Sequence, residues 1–124
     1  MEEIHTQGAP IFDLPFSQAT KHNDTIYVSG QVPINPETGD IVGGGITQQT
    51  KQIMENTSAI LEEAGSSLDN LLKSQVYLKD IEDFAEFNEV YSEYVSDPKP
   101  ALSAFEVSDL AIDIVVEIDF IAEA

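Results

Sequence analysis

The sequence predicts an α+β fold, one mixed β-sheet with two α-helices on one of its faces, and three observations lead there. Segments with strand periodicity precede, separate and follow two segments with helical periodicity. Glycine and proline fall between these segments instead of inside them. At 124 residues with 42% hydrophobic content, the chain can bury one core and is too short for two, so residues 1–124 are expected to form a single domain.

The first strand signal is Asp24 to Ser29, rich in β-branched and aromatic residues and preceded by the turn-prone Asn23. Ser17 to Lys21 is its expected hairpin partner. Pro33, Pro36, Gly39 and the run Gly43 to Gly45 then mark a loop. Ile46, Ile53, Thr57, Ile60, Leu61 and Ala64 recur at helical spacing, and Gly65 supplies a stop, so a long amphipathic helix is expected between. Lys73 to Lys79 alternates as a strand. A second helix is signalled by Asp83 with Glu86 three residues on, a capping-box pattern, followed by Phe84, Phe87, Tyr91 and Tyr94 on one face. Asp97 to Pro100 ends it. Ala101 to Val107 and Ile114 to Ala122 read as strands, the latter with Ile114, Val116, Ile118 and Phe120 on one face.

Crossover connections would place both helices on the same side of the sheet. The other face is expected to carry Tyr77, Leu102, Ala104, Val115 and Ile121 mixed with Glu106, Glu117 and Asp119. That is too apolar to be left in water, so burial against further copies of the chain in a closed cyclic assembly is expected.

The charge balance is the most unusual global feature: 23 acidic residues face five basic ones, all lysines, for a formal net charge of −18. The acids are spread along the chain, which fits a coated folded surface, suited to a salt-rich cytoplasm where the screening length shrinks. Such a surface repels phosphate backbones, which argues against nucleic-acid partners. The apolar runs are too short to span a bilayer, and no secretory signal is visible, so a cytoplasmic protein is expected. The absence of cysteine excludes disulfides, thiolate metal sites and cysteine nucleophiles.

Standard motifs for nucleotide phosphates, dinucleotides, zinc proteases and EF-hands are missing. His5 and His22 stand alone and read as exposed loop or strand residues, so no metal site is expected. The acidic group Asp80, Glu82, Asp83 and Glu86 reads as a helix start, and the triple glycine, with no cation behind it, as a flexible turn. Glu117 is different. A carboxylate in an otherwise apolar strand is costly unless it is paired, solvated or functional.

The segments Phe16-Ser17-Gln18-Ala19, Ile26 to Pro33, Phe87 to Tyr91, Lys99-Pro100-Ala101 and Val116-Glu117-Ile118, in this order and spacing over nearly the whole chain, resemble the RidA family of reactive-intermediate deaminases. The resemblance implies a chorismate-mutase-like fold, a homotrimer, and small-molecule clefts between adjacent subunits, with no metal or organic cofactor. It also implies hydrolysis of enamines or imines to a 2-oxo acid and ammonia. The family pattern has tyrosine, serine, asparagine, arginine and glutamate at the places held here by Phe16, Ser29, Asn88, Leu102 and Glu117. The resemblance thus makes Glu117 and Ser29 the catalytic candidates, and Phe16, Gly30, Asn88, Leu102 and Ala104 the substrate-binding ones.

Two of these places depart from the pattern. Leu102 replaces the guanidinium that would grip a substrate carboxylate by a bidentate pair, and Phe16 lacks the tyrosine hydroxyl. Lys99 is near in sequence, but a flexible ammonium is no guanidinium fork. The expected function is therefore a deaminase-type hydrolase of altered or weakened range, able to act on substrates without a carboxylate. The alternative is a non-catalytic trimer that binds a small metabolite or protects other proteins, and RNA cleavage is disfavoured by the charge.

Overall fold

The computed structural model describes all 124 residues. Six strands form one sheet in the order β1-β2-β3-β6-β4-β5: β1 (Glu2–Ile4), β2 (Ala19–His22), β3 (Thr25–Gln31), β4 (Leu71–Leu78), β5 (Ala101–Glu106) and β6 (Val116–Glu123). Two helices, α1 (Gly45–Glu63) and α2 (Phe84–Tyr91), pack against one another. All pairings are antiparallel except β4 with β5, which α2 connects as a crossover. The mixed sheet with two helices is the predicted architecture.

Period-two alternation decides which side of each strand is buried. Ile114, Val116, Ile118, Phe120 and Ala122 are all buried, and so are Ile26 and Val28 from β3 and Ser74, Val76 and Leu78 from β4. Apart from Ile114 and the polar Ser74, they meet Ile46, Ile53, Met54, Ile60 and Leu61 from α1 and Phe87 and Tyr91 from α2 in one core. Some of the polar side chains inside it find partners within the chain, although Thr50 Oγ1 finds none. Thr57 Oγ1 donates to the Ile53 carbonyl at 2.8 Å, and the Ser74 and Tyr91 hydroxyls share a bond of 2.7 Å that ties β4 to α2. Phe87 and Tyr91 stack at 5.2 Å between ring centroids, as the shared helical face predicts.

The structure departs from the sequence reading at three places. β1 was not signalled, because its short segment has only Ile4 buried. Asp83 does not cap α2 with its side chain; a 3-10 turn, Ile81–Asp83, leads into the helix, and Asp80 caps that turn by accepting the Glu82 N–H at 2.9 Å. The third departure matters most. Parallel register pairs Ser74 with Leu102, Val76 with Ala104 and Leu78 with Glu106, so these three β5 residues share the helix side and not the open face. Their neighbours Ser103 and Phe105 face the open side, where Lys73 Nζ donates to Ser103 Oγ at 3.1 Å and Tyr77 stacks on Phe105. A strand read in isolation shows which residues share a face; only its pairing shows which face that is.

Candidate active site

The site is built where β3 meets β6. Their pairing slips between Val28 and Gln31, a bulge that carries Ser29 and Gly30. Glu117 lies across from this bulge on β6, opposite Tyr77 of β4, with its side chain on the open face of the sheet. A methyl group added at Gly30 would collide with Glu117 Oε2, so a glycine is what lets the carboxyl lie flat against β3.

Glu117 is half-buried and makes no hydrogen bond within the chain. Burial, with a smaller contribution from the nearby Asp119 charge, pushes its pKa above the ordinary value of 4.5. Asp119 is already engaged: it accepts from the Tyr77 hydroxyl at 2.7 Å and from Gln75 at 3.3 Å. Holding that phenolic proton for Asp119 is the main reason the Tyr77 pKa stands at about 12. Glu117, in contrast, is left free to accept a proton or a ligand.

The space beside it is apolar. A cavity of about 200 Å³ is lined by Phe12, Leu14, Phe16, Val32, Ala111 and Ile112, with Gly30 and the Glu117 carboxyl as the remaining wall. A second, more polar cavity of about 180 Å³ shares Phe12, Leu14, Phe16 and Gly30 with it and reaches Ser29, Gln18, Ser17 and His5. No lysine lines either one.

Two glutamines hold these walls. Gln18 accepts the Thr6 N–H at 2.7 Å and donates to the Thr6 and Pro10 carbonyls at 3.1 and 3.0 Å, which anchors the loop bearing Phe12, Leu14 and Phe16. Gln49 of α1 donates to the Val42 carbonyl and accepts the Val115 N–H at 2.8 Å, fixing the segment that carries Ala111 and Ile112. Ser29 is tied to the same loop, since its hydroxyl donates to the Ser17 carbonyl at 2.6 Å. Its oxygen keeps lone pairs with which to accept.

Of the residues singled out in the sequence, Phe16, Ser29, Gly30 and Glu117 therefore come together. Asn88, Leu102 and Ala104 do not join them in the same chain. Asn88 is exposed on α2, and Leu102 lies beside Ser74 on edge strand β5, on the sheet face opposite Glu117. β4 and β6 separate β5 from β3, about 14 Å at the usual strand spacing. Lys99 extends no cation toward Glu117's cavity: it pairs on the surface with Asp97 at 3.4 Å. The sequence reading missed Phe12, Leu14, Val32, Ala111 and Ile112, which fall in loops without periodicity; only their apolar character in otherwise polar connections could have flagged them.

A family model described as Endoribonuclease L-PSP matches residues 6–124. A RutC family protein of Pyrococcus abyssi is 54% identical over 121 residues, covering 98% of this chain and 95% of its own. The chain belongs to the RidA family. A mouse relative named 2-iminobutanoate/2-iminopropanoate deaminase is 40% identical, covering 96% of this chain and 88% of that one. The crystal structure of RidA from an Antarctic Psychrobacter superposes with a TM-score of 0.95 at 40% identity, covering all of both chains. Its RidA fold gives the sheet and helices described above their place in the family. No helix of the chain is long and apolar enough to cross a membrane, and no three His, Asp or Glu side chains converge as metal ligands.

Proposed function

We propose that this RidA-family chain hydrolyses reactive imines or enamines, with Glu117 as the base that activates water and with a substrate range altered by Leu102. The observation that carries the proposal is the Glu117 carboxyl itself: half-buried, unpaired, and laid against a glycine at the wall of an open apolar cleft. Burying a carboxylate without a partner is costly, and such groups concentrate where a proton is moved. The mouse relative, named for imine deamination, supports the same reading.

In the proposed reaction the water oxygen bonds to the imine carbon while the C=N π pair moves to nitrogen, and Glu117 takes the water proton. That proton passes to nitrogen; the remaining hydroxyl proton then follows it through Glu117 as the oxygen closes the carbonyl, the C–N bond breaks with its electron pair on nitrogen, and a carbonyl product and ammonia leave. Ser29 and the backbone at Gly30 line the adjoining cavity, where they are suited to hold the water. Asn88, Leu102 and Ala104 take part only if another subunit supplies them, because in one chain they lie on the far side of the sheet. A trimer with clefts between subunits meets that requirement, and the side of the sheet with exposed Tyr27 and Phe105 and half-buried Tyr77 gives such an assembly apolar surface to bury.

A second reading, a cleft that binds a metabolite without turning it over, is favoured by Leu102 and by Phe16, which remove a guanidinium and a hydroxyl from the family pattern. RNA cleavage has no support in this surface, where five lysines meet 23 acids and two of the lysines pair with aspartates. The deciding experiment is Leu102→Arg, assayed on the imine derived from 2-aminoacrylate. A hydrogen bond to a charged group contributes about 1.5–3 kcal/mol, so turnover should rise by about tenfold or more. The gain should vanish in the double variant with Glu117→Ala. A gain that survives that change would remove Glu117 from the role of base, and brisk wild-type turnover would show that another donor grips the carboxylate.

A further inference from the structure

We infer that the Glu117 cavity is a site for a small cationic ligand with an aliphatic tail and no carboxylate, such as the protonated imine of a simple aliphatic aldehyde. The inference deepens the hydrolase reading, on which it rests for its chemistry, although recognition of the cation can be tested without turnover.

The lining fixes polarity. Phe12, Leu14, Phe16, Val32, Ala111 and Ile112 offer no hydrogen bond from their side chains, so most of the ligand is hydrocarbon. Phe12, Leu14, Phe16 and Ile112 are 40%, 57%, 54% and 37% exposed, an apolar surface that a tail would cover.

Charge fixes the head group. Within the chain Glu117 is the one ionisable side chain on this wall, and the charge that bears on it is negative: Asp119, two residues along the same face, which accepts the Tyr77 hydroxyl proton. An anionic ligand would bring a second carboxylate toward an unpaired one in a chain of net charge −18, with no lysine on the wall to offset it. A cation has the opposite balance. It supplies the partner that Glu117 lacks within the chain, and it lowers the cost of keeping that carboxylate ionised.

The test uses two unreactive probes that share one tail: 3-methylbutylammonium and 3-methylbutanoate, titrated calorimetrically against the full-length protein at fixed ionic strength. The ammonium should bind at least about tenfold tighter than the carboxylate, and Glu117→Gln, which removes one charge among 23 acids, should erase most of that preference. Ile112→Asn should weaken the ammonium while leaving the melting temperature near that of wild type, since Ile112 is outside the core. Equal or tighter binding of the carboxylate overturns the inference, as does ammonium binding indifferent to Glu117→Gln, or no binding of either probe. A turnover arm separates this from the hydrolase reading. The imine formed by oxidising 3-methylbutylamine is compared with the imine formed from leucine, in wild-type protein. Preference for the first supports both readings. Preference for the second overturns the cationic site and leaves the hydrolase. Ammonium binding with no turnover of either imine leaves the site and overturns the hydrolase.

Discussion

Gly30→Ala should separate activity from stability in this protein. The new methyl group would overlap Glu117 Oε2 and press on its Cδ at 3.1 Å, so the carboxyl must swing away by about 1 Å or more. Gly30 is not among the glycines held at positive φ, which are Gly39, Gly44, Gly45 and Gly65, so its backbone accepts alanine without strain. What has to yield is the far end of a flexible, half-exposed side chain, not backbone. Replacing glycine at a compatible position removes unfolded-state entropy worth about 0.4–1 kcal/mol, which offsets part or all of the displacement. The melting temperature should therefore stay within a few degrees of wild type. Displacing a catalytic group by about 1 Å can cost on the order of a hundredfold in rate. The assay is hydrolysis of a freshly generated amine-derived imine, followed by carbonyl product, beside a thermal melt of the same preparation. Turnover within threefold of wild type in a folded Gly30→Ala protein would refute the claim that the position of Glu117 governs the reaction.

Four further outcomes follow from the same structure. Turnover should fall on acidification through a pKa above the ordinary 4.5 of a glutamate, because burial and Asp119 raise that of Glu117, and Asp119→Asn should move the acid limb downward; a rate that is flat down to pH 4 would deny Glu117 the base role. With its folded pKa raised, Glu117 favours the fold when protonated and loses that contribution as pH rises through the folded value, so Glu117→Gln should melt at or above wild type at pH 7. Potassium chloride should raise the melting temperature more than a matched non-ionic osmolyte does, since only two salt bridges, both on exposed side chains, offset 23 acids; insensitivity to chloride would remove the halophile-like interpretation. Light scattering at moderate and high salt should give the mass of a trimer, and a monomer at every concentration of salt would sink the clefts that need two subunits.

The sequence by itself determined most of the elements, the family and the acidic character of the chain. Period-two runs such as Ile114 to Ala122 and the helical spacing of Ile46 to Ala64 are local consequences of backbone geometry, so they can be read without knowing what they pack against. The family pattern likewise named Glu117, Ser29 and Gly30 from residues spread along the chain, and the departure at Leu102 needed no coordinates. Tertiary structure alone decided how these residues meet. The parallel pairing of β4 with β5 turned Leu102 and Ala104 toward the helices, because register, and not periodicity, assigns a strand's faces. The bulge at Ser29 and Gly30 is a relation between two strands, and it brought Glu117 of β6 against a glycine 87 positions earlier in the chain. The apolar wall of Phe12, Leu14, Val32, Ala111 and Ile112 was assembled from connecting segments held in place by Gln18 and Gln49. Those segments have no repeating pattern of their own, since the bonds that fix them run to residues distant in sequence, and for that reason the apolar cavity beside Glu117 could be seen only in the folded chain.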